Sequence, residues 1–352
     1  MRSAASNLSV SFWTALIIVT LASTALAQNP ASTTPASPPA TSESGTGQSN
    51  ASAPEPASSE PQPAAEAPTA NDQGSMFVFK KQVEEVVLHA TVLDDQRHLV
   101  PNLGQTAFAV LQDGTPQSIT SFRREDVPVA MGIVVDNSGS MRDKREKVNQ
   151  AVLNLIRASN PQDEIFVVNF SNTYYLDQDF TSDVNLLQTA LHQVSSSGST
   201  ALYDAIVASA VHLRNNPRLD KRVLLVITDG QDNMSQETLQ EAARRLQQPD
   251  GPTLYAIGLL GSGMQSSGRD ALQQLAADTG GVSYFPETVD EVDNITRTVA
   301  HDIRSQYTIA YKPKNQNGKP GYQSVQVEAR APGYGKLTVR TRNGYYPPAT
   351  AR

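Results

Sequence analysis

The chain contains no cysteine, so it has neither a disulfide nor a cysteine for N-terminal lipid attachment. An exported form must rely on apolar cores, helped by any metal it binds. It also lacks a surplus of positive charge. Lys and Arg number 28 against 35 Asp and Glu, a net charge of −7, which argues against nucleic acid as a partner. There is no His-Glu-x-x-His pair for zinc and no Gly-x-x-x-x-Gly-Lys-Ser/Thr loop for nucleotide phosphates. The five histidines (His89, His98, His192, His212 and His301) are scattered, with none two or four residues from another. Ser138 is outside a Gly-x-Ser-x-Gly elbow, because Asp136 stands where the first glycine belongs. An aspartate-nucleophile phosphotransferase would want a second Asp at position 138, where the chain has Ser. No catalytic residue is assigned, and an enzyme is not expected. A bilayer span needs about 20 apolar residues, and no segment of the mature chain is expected to cross a membrane.

A hydrophobic content of 39% is low for 352 residues, but the deficit is local. Residues 28–75 are almost entirely Ala, Pro, Ser, Thr, Gln, Glu and Gly and cannot bury enough apolar area to repay ordering entropy. They read as a disordered linker, with a composition that also suits an O-glycosylated stalk. Residues 1–27 read as a signal peptide: Arg2, an apolar stretch from Phe12 to Ala22, then Ala25-Leu26-Ala27 as a cleavage site. The expected location is therefore secreted or periplasmic, with cleavage before Gln28; retention of the segment as an anchor is the alternative.

The informative part lies further on. Val129 to Val135 is uncharged and apolar, the pattern of a parallel strand buried on both faces. It runs into Asp136-Asn137-Ser138-Gly139-Ser140, a carboxylate and two hydroxyls at i, i+2 and i+4. Open α/β sheets bind ligands beyond the carboxyl ends of their strands, and oxygen side chains there suit a hard cation such as Mg²⁺. Arg222 to Thr228 is a second buried strand, ending in Asp229-Gly230. Between the two, Ser195 to Thr200 is a Ser/Gly loop opening a helical pattern. Taken singly, each position also suits a turn or a helix N-cap. Together, at successive strand ends, they point to metal.

These residues resemble the von Willebrand factor type A domain, shared with integrin ligand-binding domains. The family's metal-ion-dependent adhesion site is Asp-x-Ser-x-Ser, then a Thr on a second loop and an Asp on a third. Here Asp136, Ser138, Ser140, Thr200 and Asp229 match in order. The resemblance covers roughly residues 128–303. It implies Mg²⁺, with Mn²⁺ or Ca²⁺ as alternatives. Ser138, Ser140 and Thr200 would reach the ion directly, with Asp136 and Asp229 acting largely through water. It further implies a protein partner that offers a Glu or Asp to the ion.

Strands at 129–135, 164–170, 222–228, 253–258 and 282–285 alternate with helical patterns at 141–158, 184–194, 201–213, 236–246, 269–277 and 290–304. That alternation predicts an α/β, doubly wound, mostly parallel sheet in residues 128–303; the family resemblance implies an added antiparallel edge strand at Tyr174 to Phe180. Asp204, Asp143 and Glu146 suit helix first turns, and Asp232 reads as a solvated loop residue. The rim loops 172–179 and 259–268 would select the partner. Residues 76–127 and 304–352 carry period-2 strands, with turn signals at Asp113-Gly114, Asn317-Gly318, Pro332-Gly333 and Asn343-Gly344. Neither flank has enough strands for its own core, so the two are expected to build one β-sandwich into which the α/β domain is inserted. These flanks resemble those of secreted bacterial von Willebrand A-related proteins, through Asp113, Gly114 and Gln117 and through Arg342, Gly344 and Tyr345. The function expected is a metal-dependent adhesion or recruitment module. The alternative is an envelope structural protein with a stabilising metal site, and a weaker one is a Mg²⁺-dependent phosphotransfer enzyme.

Overall fold

A computed structural model describes residues 85–124, 126–216, 218–259, 266–314 and 321–347. The signal segment, the linker, the Asn317-Gly318 turn and positions 260–265 of the second rim loop lie outside the described residues. In chain order, β1 (Val86–Leu93), β2 (Phe108–Gln112), β3 (Thr115–Gln117) and β4 (Ile119–Arg123) come first. Next are β5 (Val129–Asp136), α1 (Arg145–Ala158), β6 (Glu164–Phe170), β7 (Tyr174–Thr181), α2 (Val184–His192), α3 (Leu202–Arg214) and β8 (Lys221–Thr228). The α/β part ends with α4 (Leu239–Leu246), β9 (Thr253–Gly258), α5 (Ser266–Thr279), β10 (Ser283–Tyr284) and α6 (Val292–Arg304). Then follow β11 (Tyr307–Tyr311), β12 (Gln323–Ala329), β13 (Thr338–Arg340) and β14 (Gly344–Tyr345).

The central sheet has six strands in the order β10-β9-β8-β5-β6-β7. All pairs are parallel except β6–β7, which is antiparallel at the edge. Alternation along β5 explains the two layers of helix. Val129, Met131, Ile133 and Val135 pack with α1, α2 and α6, while Ala130 and Val134 pack with α3, α4 and α5. Gly132 is required in this strand, since a Cβ there would lie 2.4 Å from Phe166 Cζ and 2.8 Å from Leu224 Cδ1. From β5 the chain moves to β6 on one side and later to β8 on the other. The topological switch point, where such sheets bind ligands, is thus between β5 and β8.

The flanking strands form two four-stranded sheets, β13-β1-β11-β4 and β14-β12-β2-β3. Each interleaves strands from both ends of the chain. Val86, Leu88, Ala90 and Val92 of β1 share one core with Phe108, Val110, Tyr307, Ile309, Tyr311, Val325 and Val327. The fold class is the one the sequence predicts, an α/β domain inserted into a β-sandwich. Among the described residues no helix is long and apolar enough to cross a membrane.

Polar contacts fix the sandwich to the α/β domain. Buried Asp302, near the end of α6, accepts from Thr91 Oγ1 (3.1 Å) and Tyr255 OH (2.6 Å) and pairs with Arg340. Buried Arg342 donates to the carbonyls of Gln248 (3.0 Å), Pro249 (2.5 Å) and Gly251 (2.9 Å) beyond α4. β11 and β12 are interior strands, so a chain ending at Arg304 would strip a partner from β1, β4 and β2. We expect that chain to lose amide-exchange protection in β1 and β2 and to aggregate, while residues 128–303 alone retain protection in β5 and β8. Protected β1 and β2 amides in a monomeric truncated chain would refute the shared core.

His89, on the outer face of β1, is half-buried, with Nδ1 3.3 Å from Thr308 Oγ1. Burial, then the charges of Lys221, Arg342 and Arg222, push its pKa from 6.5 down to about 3. The unfolded chain takes up this proton at about 6.5, whereas the folded chain stays neutral. His89 therefore costs nothing above that pH and lowers stability progressively as pH falls from about 6.5 toward 3. The urea midpoint is expected to drop between about pH 7.5 and pH 5, with a shallower drop in His89→Gln. Identical pH slopes in the two proteins would remove His89 as the cause.

Candidate metal site

β5 delivers Asp136 to the carboxyl end of the sheet fully buried, at 0% exposure. Its Oδ1 accepts from the Ser138 backbone N–H at 2.8 Å and its Oδ2 from Thr228 Oγ1 at 2.5 Å. Burial is the largest influence on this carboxyl and raises its pKa, against the lowering effect of those hydrogen bonds; nearby Asp229 adds to the rise. The strand end thus carries a carboxylate whose charge the surrounding dipoles do not fully compensate.

The next residues form a short 3-10 turn at Gly139–Met141, and α1 starts only at Arg145, later than the expected start at Met141. The turn brings Ser138 Oγ to 3.2 Å from Ser140 Oγ, and Ser140 Oγ donates to Asp229 Oδ1 at 2.7 Å. Asp229 is buried at the end of β8, and Lys144 Nζ bonds its Oδ2. A methyl group placed on Gly230 would meet Thr200 Oγ1 at 3.1 Å and Asp136 Oδ2 at 3.7 Å, so those two oxygens face the same spot. All five expected side chains come together here. Four are buried, while Ser140 is exposed and opens the cluster to solvent.

The loops are fastened to one another. Asn137 N donates to Phe170 O at 2.6 Å, its Nδ2 to Ser195 O at 3.0 Å, and its carbonyl accepts from Ser197 N at 2.8 Å. Gly198 adopts φ +88°, and a Cβ there would lie 2.7 Å from Asn172 Oδ1, which accepts from Ser199 N. Asn233 accepts from Thr200 N (2.9 Å) and donates its own N–H to Thr200 O (3.0 Å). Asp232 is not a solvated loop residue. It accepts from Leu202 N at 2.8 Å and Tyr203 N at 3.3 Å, satisfying the first turn of α3 from another loop. Asp204 accepts from Gln236 N and Glu237 N, a structural role as expected. Asp143 lies in the turn before α1, and Glu146 is in the helix's first turn.

Sequence reasoning missed Thr228, Asn137, Asn233 and Arg145. Arg145 is buried and donates to Asp136 O (3.1 Å) and to Asn169 Oδ1, holding the strand end in place. Thr228 carried a signal, as a hydroxyl adjoining the motif's third-loop Asp. Among the described residues no cluster of three or more His, Asp or Glu side chains is built to hold a metal. A metal here would be held with hydroxyls, and the donors present fit a hard divalent ion: converging oxygens, a buried under-compensated carboxylate and one open side.

A doubly wound sheet carries this oxygen cluster at its switch point. Residues 131–231 match the family model of the von Willebrand factor type A domain. No curated protein matches the chain. Among solved structures, proximal thread matrix protein 1 from the mussel byssus is similar at 17% identity over 54% of this chain, with a TM-score of 0.45. The match covers 50% of the mussel protein, so this chain spans about half its length. A further structure of that protein has zinc in its metal-ion-dependent adhesion motif. A von Willebrand factor type A protein from Catenulispora acidiphila matches at 14% identity over 76% of this chain and 75% of its own, with a TM-score of 0.43. BatB from Bacteroides thetaiotaomicron matches at 18% identity over 50% of this chain and 97% of its own, with a TM-score of 0.41.

Thr228 provides a direct test of how the site is supported. Thr228→Val keeps the side-chain shape but leaves Asp136 Oδ2 without its donor. Loss of one buried hydrogen bond to a charge should destabilise the metal-free protein by about 1–3 kcal/mol in urea unfolding. Thr228→Ser should recover most of that. Unchanged stability in Thr228→Val would show that another group serves Asp136.

Proposed function

We propose that the chain is a secreted or periplasmic, non-enzymatic recruitment module that captures a Glu or Asp side chain of a protein partner through a divalent ion. The observation that carries this reading is the convergence of Asp136, Ser138, Ser140, Thr200 and Asp229 at the switch point, buried except at Ser140. Ser138, Ser140 and Thr200 are the hydroxyls that would hold the ion directly, with Asp136 and Asp229 behind them. A bound ion would supply an electrophilic position for a carboxylate. With three neutral hydroxyls nearest to it and both carboxylates behind them, that ion would stay electrophilic, which favours an anionic side chain over water. Mg²⁺ is the expected ion, with Mn²⁺ and Ca²⁺ as alternatives; Zn²⁺, the ion in the mussel protein's motif, belongs in the same titration. The rim residues Tyr174, Tyr175 and Leu176 of β7 are exposed and suit contact with the partner around that carboxylate.

The test has two stages. Mg²⁺ or Mn²⁺ at a hundredfold excess over Kd should raise Tm by roughly 5–10 °C, because an ion bound only to the folded state stabilises it by mass action. Asp136→Ala should remove most of that shift, and an equal response in both proteins would refute the site. Partners retained from an envelope extract with and without chelator would then be captured for surface plasmon resonance. Thr200→Ala should weaken binding more than folding, since it deletes a neutral ligand and strands no buried charge. Binding that survives both chelator and Thr200→Ala would assign the site a purely stabilising role.

A further inference from the structure

We propose that Lys144 is a tethered cation of this site, whose ammonium group competes with the divalent ion for Asp229 and so sets the metal concentration at which the site loads. The inference rests on the metal-dependent reading above and adds a sixth residue that the five-residue motif does not contain.

Both oxygens of Asp229 have partners: Oδ1 accepts from Ser140 Oγ at 2.7 Å, and Oδ2 is bonded by Lys144 Nζ. Asp136 is met by the Thr228 hydroxyl and by the Ser138 N–H and side chain, none of them charged. Of the neighbouring cations on α1, Arg145 is spent on the Asp136 carbonyl, Asn169 Oδ1 and the Leu191 carbonyl. Lys147 pairs with the exposed Asp290. Among the described residues, Lys144 is the cation hydrogen-bonded to a side-chain carboxylate of the five-residue cluster.

Its placement suits a reversible competitor. Lys144 ends the turn that follows the motif, and its Nζ lies 3.4 Å from Ser140 O as well as on Asp229. The Asp229 side chain is 1% exposed, whereas that of Lys144 is 28% exposed. The carboxylate is fixed, while the ammonium sits on a flexible stem with a path to water. A divalent ion that draws on Asp229 must displace the ammonium or sit beside it, and both lower the ion's affinity. With Lys144 in place Asp229 is compensated by the chain itself, so folding does not depend on metal.

The experiment is isothermal titration calorimetry of the full chain with Mn²⁺ and with Mg²⁺, comparing wild type, Lys144→Gln, Lys144→Met and Lys144→Arg. Lys144→Gln and Lys144→Met should bind Mn²⁺ about five- to tenfold more tightly, the size of a modest coupling between two ligands. Lys144→Arg, which keeps the charge, should stay near wild type. Binding by the neutral variants alone, with none in wild type, supports the proposal in its strongest form. Equal, measurable affinity in all four proteins overturns the role of Lys144 and leaves the metal site standing. Weaker binding in both neutral variants overturns it too, because Lys144 would then be shaping the site for the ion. No binding by any of the four into the millimolar range defeats the metal reading itself, and this proposal with it.

Discussion

A carboxylate at the end of a strand covered on both faces has no water to stabilise its charge, and the loops at this end of the sheet are arranged around that fact. Asp136 is fully buried because β5 is the central strand, between β6 and β8 with helices on both sides. Desolvation raises its pKa, and Thr228 and the Ser138 N–H offset only part of that. Unpaired buried charge is among the costliest defects a fold can carry. The neighbouring bonds keep the remaining oxygens aimed at the same place. Asn137 ties the first loop to the second, Asn233 ties the second to the third, and Arg145 holds the strand end. The oxygen cluster is therefore built before any ligand is considered, which is what a preorganised ion site requires.

The sandwich meets the α/β domain at the other end of the same sheet. The Arg342 contact at Gly251 precedes β9, and the Arg340 contact at Gly280 precedes β10. These contacts fall where strands begin, and the metal cluster lies where they end. Stability of the assembly and access to the site are thus assigned to opposite ends of the parallel strands. Asp302 illustrates the cost structure. Its carboxylate is satisfied only by groups from three separate elements, Thr91 of β1, Tyr255 of β9 and Arg340 of β13. Removing any one partner leaves a buried charge short of a donor, so the docking is selective as well as stabilising.

What the sequence disclosed follows the range of the forces involved. β5 and β8 were legible because a continuous apolar run has one economical reading, and the motif because its residues sit directly at the ends of those runs. The interleaved sandwich sheets were legible from alternation and from the shortage of strands in either flank, and the antiparallel β7 from the family resemblance. Boundaries governed by local hydrogen bonds were less so. The expected helix start at Met141 fell inside a 3-10 turn, and α4 begins at Leu239, set by the capping box of Thr238 and Glu241, not at Gln236. The role of Asp232 was illegible because its partner, the N–H of Leu202, lies on a different loop. Thr228 was hidden by its β-branched side chain, which reads as strand propensity while its hydroxyl serves Asp136.

Under the proposed function, the donor set also bears on what kind of partner would suit the site. Asp136 and Asp229 carry two negative charges and the lysine paired with Asp229 one positive, so these three side chains sum to −1. In the proposed loaded state a divalent ion would bring the total to +1 while the ammonium stays within reach. The same lysine that weakens metal binding would then leave the loaded site more attractive to an anion. In the proposed reading a carboxylate from a partner would answer that charge, on the side where Ser140 is exposed. Three carboxylates in place of two would hold the ion more tightly and neutralise the whole cluster, leaving little to draw a partner. A hydroxyl-rich set with a nearby cation trades affinity for the ion against affinity for the third component, which is the balance a recruitment site needs.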